Sequence, residues 1–188
     1  MARPVSHDAA LRARLIETAS ALVDREGPER VSLRDVARAA ETSTTAVYSL
    51  FGGKADLLAA VIEDAFASFG RQQAETEPQG LRALGVAYRA WALAHPDRYR
   101  LMFGGTIEDV DEKIDPSCTR SALVPLVRTL AGSGEVDADA ALRDAVAVWA
   151  QVHGAVSLEL AGVAPPSVDA DAVYEAVLDA ILAAHPGR

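Results

Sequence analysis

The sequence predicts an all-α protein, and three features support that prediction. Half of the 188 residues are hydrophobic but only 5% are aromatic, so the apolar side chains are mostly Ala, Val and Leu, which suit closely packed helices. Apolar residues recur every three or four positions, and no β-branched run alternates with polar residues as a half-buried strand requires. Gly and Pro divide the chain into segments of helical length.

The first predicted helix runs from about His7 to Glu26, and Gly27-Pro28 ends it. Its apolar residues repeat at helical spacing and predict one buried stripe. The members of that stripe are Leu11, Leu15, Ala19, Leu22 and Val23.

A second helix is predicted to open at Ser32. The Ser32 hydroxyl can accept a hydrogen bond from the amide of Asp35, and the Asp35 carboxylate can reach back toward the helix start. The buried stripe of this helix comprises Leu33, Val36, Ala37 and Ala40.

A turn at residues 41–43 separates this helix from a short third one. Ser43 caps the third helix, which is predicted from Thr44 to about Phe51. Gly52-Gly53 ends it, and Lys54 starts a long fourth helix. The polar residues from Arg71 to Gly80 are interpreted as a connection to the second half of the chain.

Five further helices are predicted in the second half. They lie at about Leu81–Ala94, Pro96–Phe103, Ser117–Ala131, Ala138–Ala161 and Val168–Ala184. Pro125 falls inside one of these segments, so it is expected to kink that helix or to mark its true boundary. Gly154 lies in mid-helix at a cost of about 1 kcal/mol relative to Ala, which close approach of another helix or of a ligand would justify.

Charge is divided unevenly along the chain. The net charge is −9, but residues 1–54 hold 8 Lys/Arg against 7 Asp/Glu, whereas residues 55–188 hold 10 against 20. The acidic part would repel phosphate and is expected to face away from any nucleic acid. Binding to DNA would therefore depend on a few well-placed contacts rather than on bulk charge.

Several classes of protein are disfavoured by composition. The single cysteine, Cys118, excludes an internal disulfide and a Cys-rich zinc site, and the four histidines are too scattered for another metal site. No stretch is long and apolar enough to span a membrane or to act as a signal peptide, so a cytoplasmic protein without membrane contact is expected. No glycine-rich phosphate loop follows a strand, and no cofactor is predicted.

The segment from Ser32 to Phe51 has the proportions of a helix-turn-helix. A major groove about 12 Å wide admits one helix, and the small side chains at the start of the third helix allow its backbone to approach the bases closely. Lys54 is placed to hold a phosphate. The predicted contacts with double-stranded DNA are Ser32, Arg34, Ser43, Thr44, Thr45, Ala46, Tyr48, Ser49 and Lys54.

The stretch "VSLRDVARAAETSTTAVYSLFGGKADLLAAV" resembles the helix-turn-helix of the TetR family of regulators, and the likeness covers about residues 10–65. The resemblance implies that Tyr48 and Lys54 contact phosphates and that Phe51 belongs to the core. Two positions depart from the family pattern: Glu41 replaces the usual turn glycine, and Gly52-Gly53 replaces the usual Pro-Ser. Because Glu41 would place a negative charge near the groove, it is not among the predicted contacts.

The second half resembles a TetR C-terminal class with a Trp-His-Gly-like stretch. The matching segments are "AVWAQVHGAVSLELAG" and "AYRAWALAHPDRYRLMFG". Aromatic, Met and His side chains there have the composition of a small-molecule pocket, although such residues at helical spacing often form plain core. The candidate pocket residues are Tyr88, Trp91, His95, Met102, Phe103, Trp149 and His153.

In the resembled family the last two helices pair with those of a second subunit. The apolar faces of the last two predicted helices here are also large for one subunit. The candidate dimer contacts are Val152, Val156, Leu160, Val173, Val177 and Ile181.

These expectations combine into one functional hypothesis. Residues 1–53 form a helix-turn-helix DNA-binding domain and residues 54–188 a helical regulatory and dimerisation domain, with the helix over residues 54–75 connecting them. A homodimer would bind a pseudo-palindromic operator, with repression as the expected outcome, and an unknown small-molecule effector would control affinity. The alternatives are an enzyme, a protein-interaction module without DNA binding, and a DNA-binding protein whose effector is a protein or absent.

Overall fold

The computed structural model describes residues 5–104, 110, 113–132 and 137–188, and side chains from residue 8 onward. Across those ranges the chain forms nine α-helices, a 3₁₀ turn at Glu77–Gln79 and no strand, which confirms the all-α class. The helices are α1 (Val5–Glu26), α2 (Leu33–Ala39), α3 (Thr44–Phe51), α4 (Lys54–Thr76), α5 (Leu81–Ala94), α6 (Pro96–Phe103), α7 (Pro116–Ala131), α8 (Ala138–Ala161) and α9 (Ala170–Ala184).

Two predicted boundaries differ from the structure. The polar segment predicted as a connection from Arg71 is helical as far as Thr76, because exposed polar residues are good helix formers when nothing breaks the hydrogen-bond ladder. The last helix begins at Ala170 rather than Val168, since the Asp169 carboxylate accepts a hydrogen bond from the Asp171 amide at 3.0 Å and caps it there.

Pro125 is a third difference. It lies inside α7 and is buried, with helix on both sides, so the expectation that it marks a helix boundary is wrong. Burial of the ring against neighbouring apolar groups offsets the lost backbone hydrogen bond.

The first compact unit of the fold comprises Met1–Ala67 and His95–Cys118. In this unit α1 packs on α2, α3 and α6, and every member of its predicted stripe is buried. Val36 of α2 and Val47 of α3 are fully enclosed, and Leu58 of α4 is also inaccessible. The helix-turn-helix is therefore fixed on one continuous core.

The second compact unit comprises Ser68–Ala94 and Thr119–Arg188. Here α5 packs on both α8 and α9, which also pack on each other. The Arg89 guanidinium joins the three helices by ion pairs with Glu159 of α8 and Asp171 of α9, each at 2.6 Å, and these carboxylates raise its pKa. The domain boundary at residue 53 stays a prediction.

Close helix approach in the second unit occurs at Gly85 rather than at Gly154. A β-carbon on Gly85 would clash with the Leu178 Cδ2 atom of α9, so only glycine fits without a shift. The Tyr174 hydroxyl also donates to the Gly85 carbonyl at 2.6 Å. Nothing among the described residues lies within 4 Å of a β-carbon on Gly154, so the subunit itself supplies no neighbour there.

Within the described part of the chain, no single helix is long and apolar enough to cross a membrane. By length and composition, α3 and the helical stretch from Lys54 to Gln79 could do so only as a pair, which is bent by 70°.

Candidate nucleic-acid interface

The start of α2 is fixed by the predicted cap. The Asp35 amide donates to Ser32 Oγ at 3.2 Å, and the Ser32 hydroxyl donates to the Asp35 carboxylate in return. Arg38 pairs with the other oxygen of Asp35 at 2.7 Å. The reciprocal bonds leave Ser32 half-buried, whereas Arg34 projects into solvent from the first turn of α2.

The start of α3 is capped in the same way, because the Ala46 amide donates to Ser43 Oγ at 3.1 Å. Both serine caps are therefore confirmed. On the inward side of α3, Val47 is fully buried and Phe51 is 7% exposed. The Arg12 guanidinium of α1 covers the Phe51 ring at 5.2 Å from its centroid, which holds the inward side of α3 against α1.

The outward side of α3 carries most of the predicted DNA contacts. Tyr48 is 54% exposed, which is a large exposed fraction for a bulky aromatic side chain. The exposed members of the predicted set are Arg34, Ser43, Thr45, Tyr48 and Ser49, and the half-buried members are Ser32, Thr44, Ala46 and Lys54. No predicted contact residue is fully buried, so the whole set remains accessible at the surface of the first unit.

Lys54 has a structural role that the sequence did not indicate. Its ammonium group donates to the Glu29 carbonyl at 2.9 Å and so ties the start of α4 to the turn after α1. An ammonium group has three donors, which leaves two of them able to reach a phosphate.

Charge around α3 is sparse. The helix Thr44–Phe51 contains no ionisable side chain except the Tyr48 phenol, so its own positive end comes from the free amides of the first turn. Glu41 has a φ of 51°, the left-handed conformation for which glycine is favoured, and its side chain is exposed. The turn therefore keeps the helix-turn-helix geometry at the cost of local strain.

A hydrogen-bonded aromatic cluster joins α5 and α8 in the second unit. Tyr88 is buried, and its hydroxyl lies 3.1 Å from His153 Nδ1 and accepts from Trp149 Nε1 at 3.3 Å. Ser157 Oγ lies 3.3 Å from the other nitrogen of the His153 ring. Ser157 was not predicted, although its position four residues after His153 on one helix was a usable signal.

Two further rings extend this cluster. Phe69 packs edge-on against both Tyr88 and Trp91, with ring centroids 5.3 and 5.6 Å apart. Burial lowers the pKa of His153, because the cluster disfavours the charged ring. The structure thus brings together Tyr88, Trp91, Trp149 and His153 of the seven predicted pocket residues.

The other three predicted pocket residues belong to the first unit. His95 lies beside Asp24 of α1, and Arg98 donates to His95 Nδ1 at 2.6 Å. Phe103 packs edge-on against Phe66 and Tyr99, and Met102 is half-buried on α6. These three residues are therefore described with the first unit, and their membership of one pocket with Tyr88 stays a prediction.

The candidate dimer residues occupy two different environments. Val152, Val156 and Ile181 are buried in the core of the subunit, at 4%, 0% and 2% exposure. Their surface is already used within the chain, which corrects the expectation that they face a second subunit. Leu160 and Val177 are half-buried, and Val173 is exposed.

A second apolar stripe lies on the outward side of α8. Its members follow each other at intervals of four residues, so each lies beside the next and the row turns gradually around the helix. We call these residues, Leu142, Val146, Ala150, Gly154 and Leu158, the α8 stripe. Leu142, Val146 and Leu158 are 46%, 44% and 58% exposed, so this stripe is apolar surface that the described subunit leaves uncovered.

Two family models match the chain. The model described as "Bacterial regulatory proteins, tetR family" matches residues 15–61, which include the whole helix-turn-helix. The model described as "Tetracyclin repressor-like, C-terminal domain" matches residues 81–181, which include Tyr88, Trp91, Trp149 and His153 and most of α9.

Known regulators are similar to this chain over most of its length. An uncharacterized HTH-type transcriptional regulator of Mycobacterium tuberculosis is 30% identical over 172 residues, covering 87% of this chain and 76% of the relative. A tetR-family transcriptional regulator from Streptomyces coelicolor has a TM-score of 0.70 at 25% identity, covering 94% of this chain and 82% of that one. A single-residue variant of TetR from Acinetobacter baumannii, solved in complex with minocycline, has a TM-score of 0.63 at 20% identity, covering 90% of this chain and 93% of that one. At that identity the likeness concerns the fold alone.

Proposed function

The chain belongs to the TetR family of bacterial transcriptional regulators, and from this we propose that it is a homodimeric repressor whose operator affinity is controlled by a small molecule. Family and fold are those of a DNA-binding regulator rather than an enzyme. One observation carries the proposal: α3 presents a capped, small and exposed tip on the surface of a rigid core.

DNA recognition is assigned to that tip. Thr44 and Thr45 can donate hydrogen bonds to phosphate or base edges, and Ala46 can contact a thymine methyl group. The exposed Tyr48 hydroxyl and the two remaining donors of Lys54 suit phosphate oxygens. Such contacts supply the short-range affinity that the small net charge of residues 1–54 does not. Because the proposed target is chromosomal DNA, we assign the protein to the cytoplasm.

Dimerisation is assigned to the α8 stripe together with Val173, which is 44% exposed on α9. Because α8 and α9 pack on each other, their outward apolar residues can form one two-helix face. Two such faces related by a two-fold axis would make a four-helix interface and would set two α3 helices on successive major grooves of a pseudo-palindromic operator.

Effector binding is assigned to the cluster of Tyr88, Trp91, Trp149 and His153. Small-molecule sites combine apolar rings with a few fixed polar groups, and this cluster has both. A structural neighbour from Acinetobacter baumannii is solved with minocycline bound, which supports a small-molecule effector for a protein of this fold. The DNA-bound dimer would repress by obstructing polymerase, and an effector that favours a dimer state whose α3 helices no longer match the groove spacing would relieve that repression.

The test begins with an operator selected from random-sequence duplexes by the purified chain. Fluorescence anisotropy then measures the affinity of Tyr48→Ala and Thr45→Ala for that duplex. Loss of a hydrogen bond to a charged phosphate should weaken binding by about tenfold or more. A selection that recovers no preferred sequence would contradict the proposal.

A matched control is available for the threonine substitution. Thr119 is exposed on α7 in the second unit, so Thr119→Ala removes the same group far along the sequence from the helix-turn-helix. Operator affinity should be unchanged in this variant. Equal losses in Thr45→Ala and Thr119→Ala would mean that the α3 tip does not contact DNA.

The effector is sought by a thermal-shift screen of the wild-type chain, followed by anisotropy with the selected operator. A compound that raises the melting temperature and releases the duplex supports the proposal. Compounds that stabilise the chain without changing operator affinity would contradict effector control.

A further inference from the structure

The connection between α8 and α9 buries little of its own surface. Every residue from Gly162 to Asp169 is exposed, and Gly162 ends α8 in the left-handed conformation with a φ of 63°. The two helices nevertheless pack on each other. At this end of the helix pair, the contacts that fix α8 relative to α9 therefore come from side chains outside the connection.

Arg89 of α5 contacts the last turn of α8 and the first turn of α9. Its guanidinium donates two parallel hydrogen bonds to Glu159 of α8, from Nε at 2.8 Å and from Nη2 at 2.6 Å. The same Nη2 atom donates to Asp171 of α9 at 2.6 Å. The guanidinium also lies over the Tyr174 ring, 5.2 Å from its centroid. One side chain of α5 thus joins the end of α8 to the beginning of α9.

The two carboxylates of this contact differ in their exposure to solvent. The side chains of Arg89 and Glu159 are 18% and 19% exposed, whereas that of Asp171 is 78% exposed. Two parallel bonds between a guanidinium and a carboxylate fix orientation as well as distance, and partial burial protects them from screening. The bond to Asp171 can therefore be removed without leaving a buried charge unpaired, which makes it the better target for substitution.

The residues that Arg89 joins are sequence neighbours of the proposed dimer face. Leu158 directly precedes Glu159 on α8, and Val173 follows Asp171 by two positions on α9. Leu158 and Val173 are exposed in the subunit. Apolar residues of an interface stabilise it only when their surfaces match those of the partner. The spacing of α8 and α9 at this end therefore decides how well two copies of the face fit.

We infer that Arg89 is a positioning residue of the dimer interface, because from α5 it holds the ends of α8 and α9 in the arrangement in which Leu158 and Val173 meet a second copy. This inference rests on the proposed dimerisation through α8 and α9. It assigns to α5, a helix outside the proposed interface, control over how tightly two subunits associate.

The test is sedimentation equilibrium of the full chain, which measures the dimer dissociation constant. Asp171→Asn should raise that constant about three- to tenfold, since a two-fold interface contains the contact twice. Asp171→Glu keeps the carboxylate and should stay within about twofold of the wild type. Asp179→Asn is the matched control and should leave the constant unchanged, because Asp179 is also an exposed carboxylate of α9 but pairs with Arg82, at the start of α5.

Two further measurements separate positioning from loss of folding. The double variant Arg89→Gln with Glu159→Gln leaves no buried charge unpaired, so it should still unfold cooperatively while raising the dimer dissociation constant more than Asp171→Asn does. The difference between the wild type and Asp171→Asn should shrink when NaCl is raised from 0.1 to 1 M, because salt screens the exposed ion pair.

Four results would overturn the role of Arg89 and leave the proposed dimer standing. They are equal constants for Asp171→Asn and Asp179→Asn, an equal loss in Asp171→Glu, a wild-type constant in the double variant, and a difference that salt does not reduce. A wild-type chain that sediments as a monomer would overturn both the role of Arg89 and the proposed dimer.

Discussion

Replacing Leu158 by Ala should weaken the proposed dimer without weakening the subunit. Leu158 is 58% exposed in the subunit, the largest exposed fraction among the leucine and valine side chains of the α8 stripe. Fully burying a leucine stabilises by about 1.5–3 kcal/mol, so covering that exposed fraction is worth about 0.9–1.7 kcal/mol in each subunit. A two-fold interface contains the residue twice, which gives about 1.8–3.4 kcal/mol, or roughly a 20- to 270-fold rise in the dimer dissociation constant.

Sedimentation equilibrium over a range of concentrations measures that constant, and thermal unfolding of each variant reports on the subunit. Leu93→Ala is the matched control, because Leu93 is 41% exposed on α5 and lies outside the stripe. Its dimer dissociation constant should equal that of the wild type. Equal constants for Leu158→Ala and Leu93→Ala would refute the assignment of the interface to α8, and a wild-type chain that sediments as a monomer would refute dimerisation itself.

Two further predictions concern the second unit. Gly85→Ala should strain the Leu178 side chain, which the new β-carbon would contact too closely. Leu178→Val should therefore lower the free energy of unfolding less in the Gly85→Ala background than in the wild type, with a coupling of about 1–3 kcal/mol in a double-mutant cycle. Additive effects of the two substitutions would contradict the close approach. The lowered pKa of His153 means that the unfolded chain, whose histidine titrates near 6.5, takes up the proton more readily than the folded chain. The stability contributed by the neutral ring is therefore present above about pH 6.5 and is lost as the pH falls below it. Between pH 7.5 and 5.5 the melting temperature should therefore decrease more in the wild type than in His153→Gln. Equal decreases would refute burial as the cause of the lowered pKa.

The helix-turn-helix could be predicted from sequence because its determinants are local. Ser32 and Ser43 each cap a helix through a backbone amide three residues away, and such contacts depend on spacing alone. The exposed and buried sides of α3 also follow from the positions of Val47 and Phe51 on one helical face. The eight residues of α3 are bounded by Ser43 at one end and Gly52 at the other, so local signals already fix where this helix begins and ends.

The aromatic cluster was only partly predictable because its members come from separate helices. Trp91 and His95 are four residues apart in the sequence, but Pro96 begins α6 directly after His95, and the His95 ring lies beside Asp24 of α1. The spacing of apolar residues continues past Pro96 in the sequence, but the direction of the chain changes there because a new helix begins. Which distant side chains meet depends on packing angles that a single sequence does not encode locally.

The proposed dimer face was also only partly predictable from sequence, because α8 carries two apolar stripes. Val148, Val152 and Val156 point into the subunit, whereas Val146 and Leu158 point out, and both sets have helical spacing. Helical periodicity shows that each set shares a face, but it does not show which face the rest of the chain covers. The sequence therefore predicted the helix that carries the proposed interface and assigned some of its residues to the wrong side.

A comparison of Gly85 and Gly154, two mid-helix glycines of the second unit, gives an independent argument for a partner at the α8 stripe. A glycine inside a helix destabilises it by about 1 kcal/mol relative to alanine, and at Gly85 the close approach of Leu178 accounts for that cost. Gly154 has no such neighbour among the described residues, yet it lies in the stripe between the exposed Val146 and Leu158. A small residue flanked by apolar side chains is what a closely crossing helix requires. Since the described part of the subunit provides no helix at that position, a second copy of α8 is the neighbour that would explain both the glycine and the uncovered stripe.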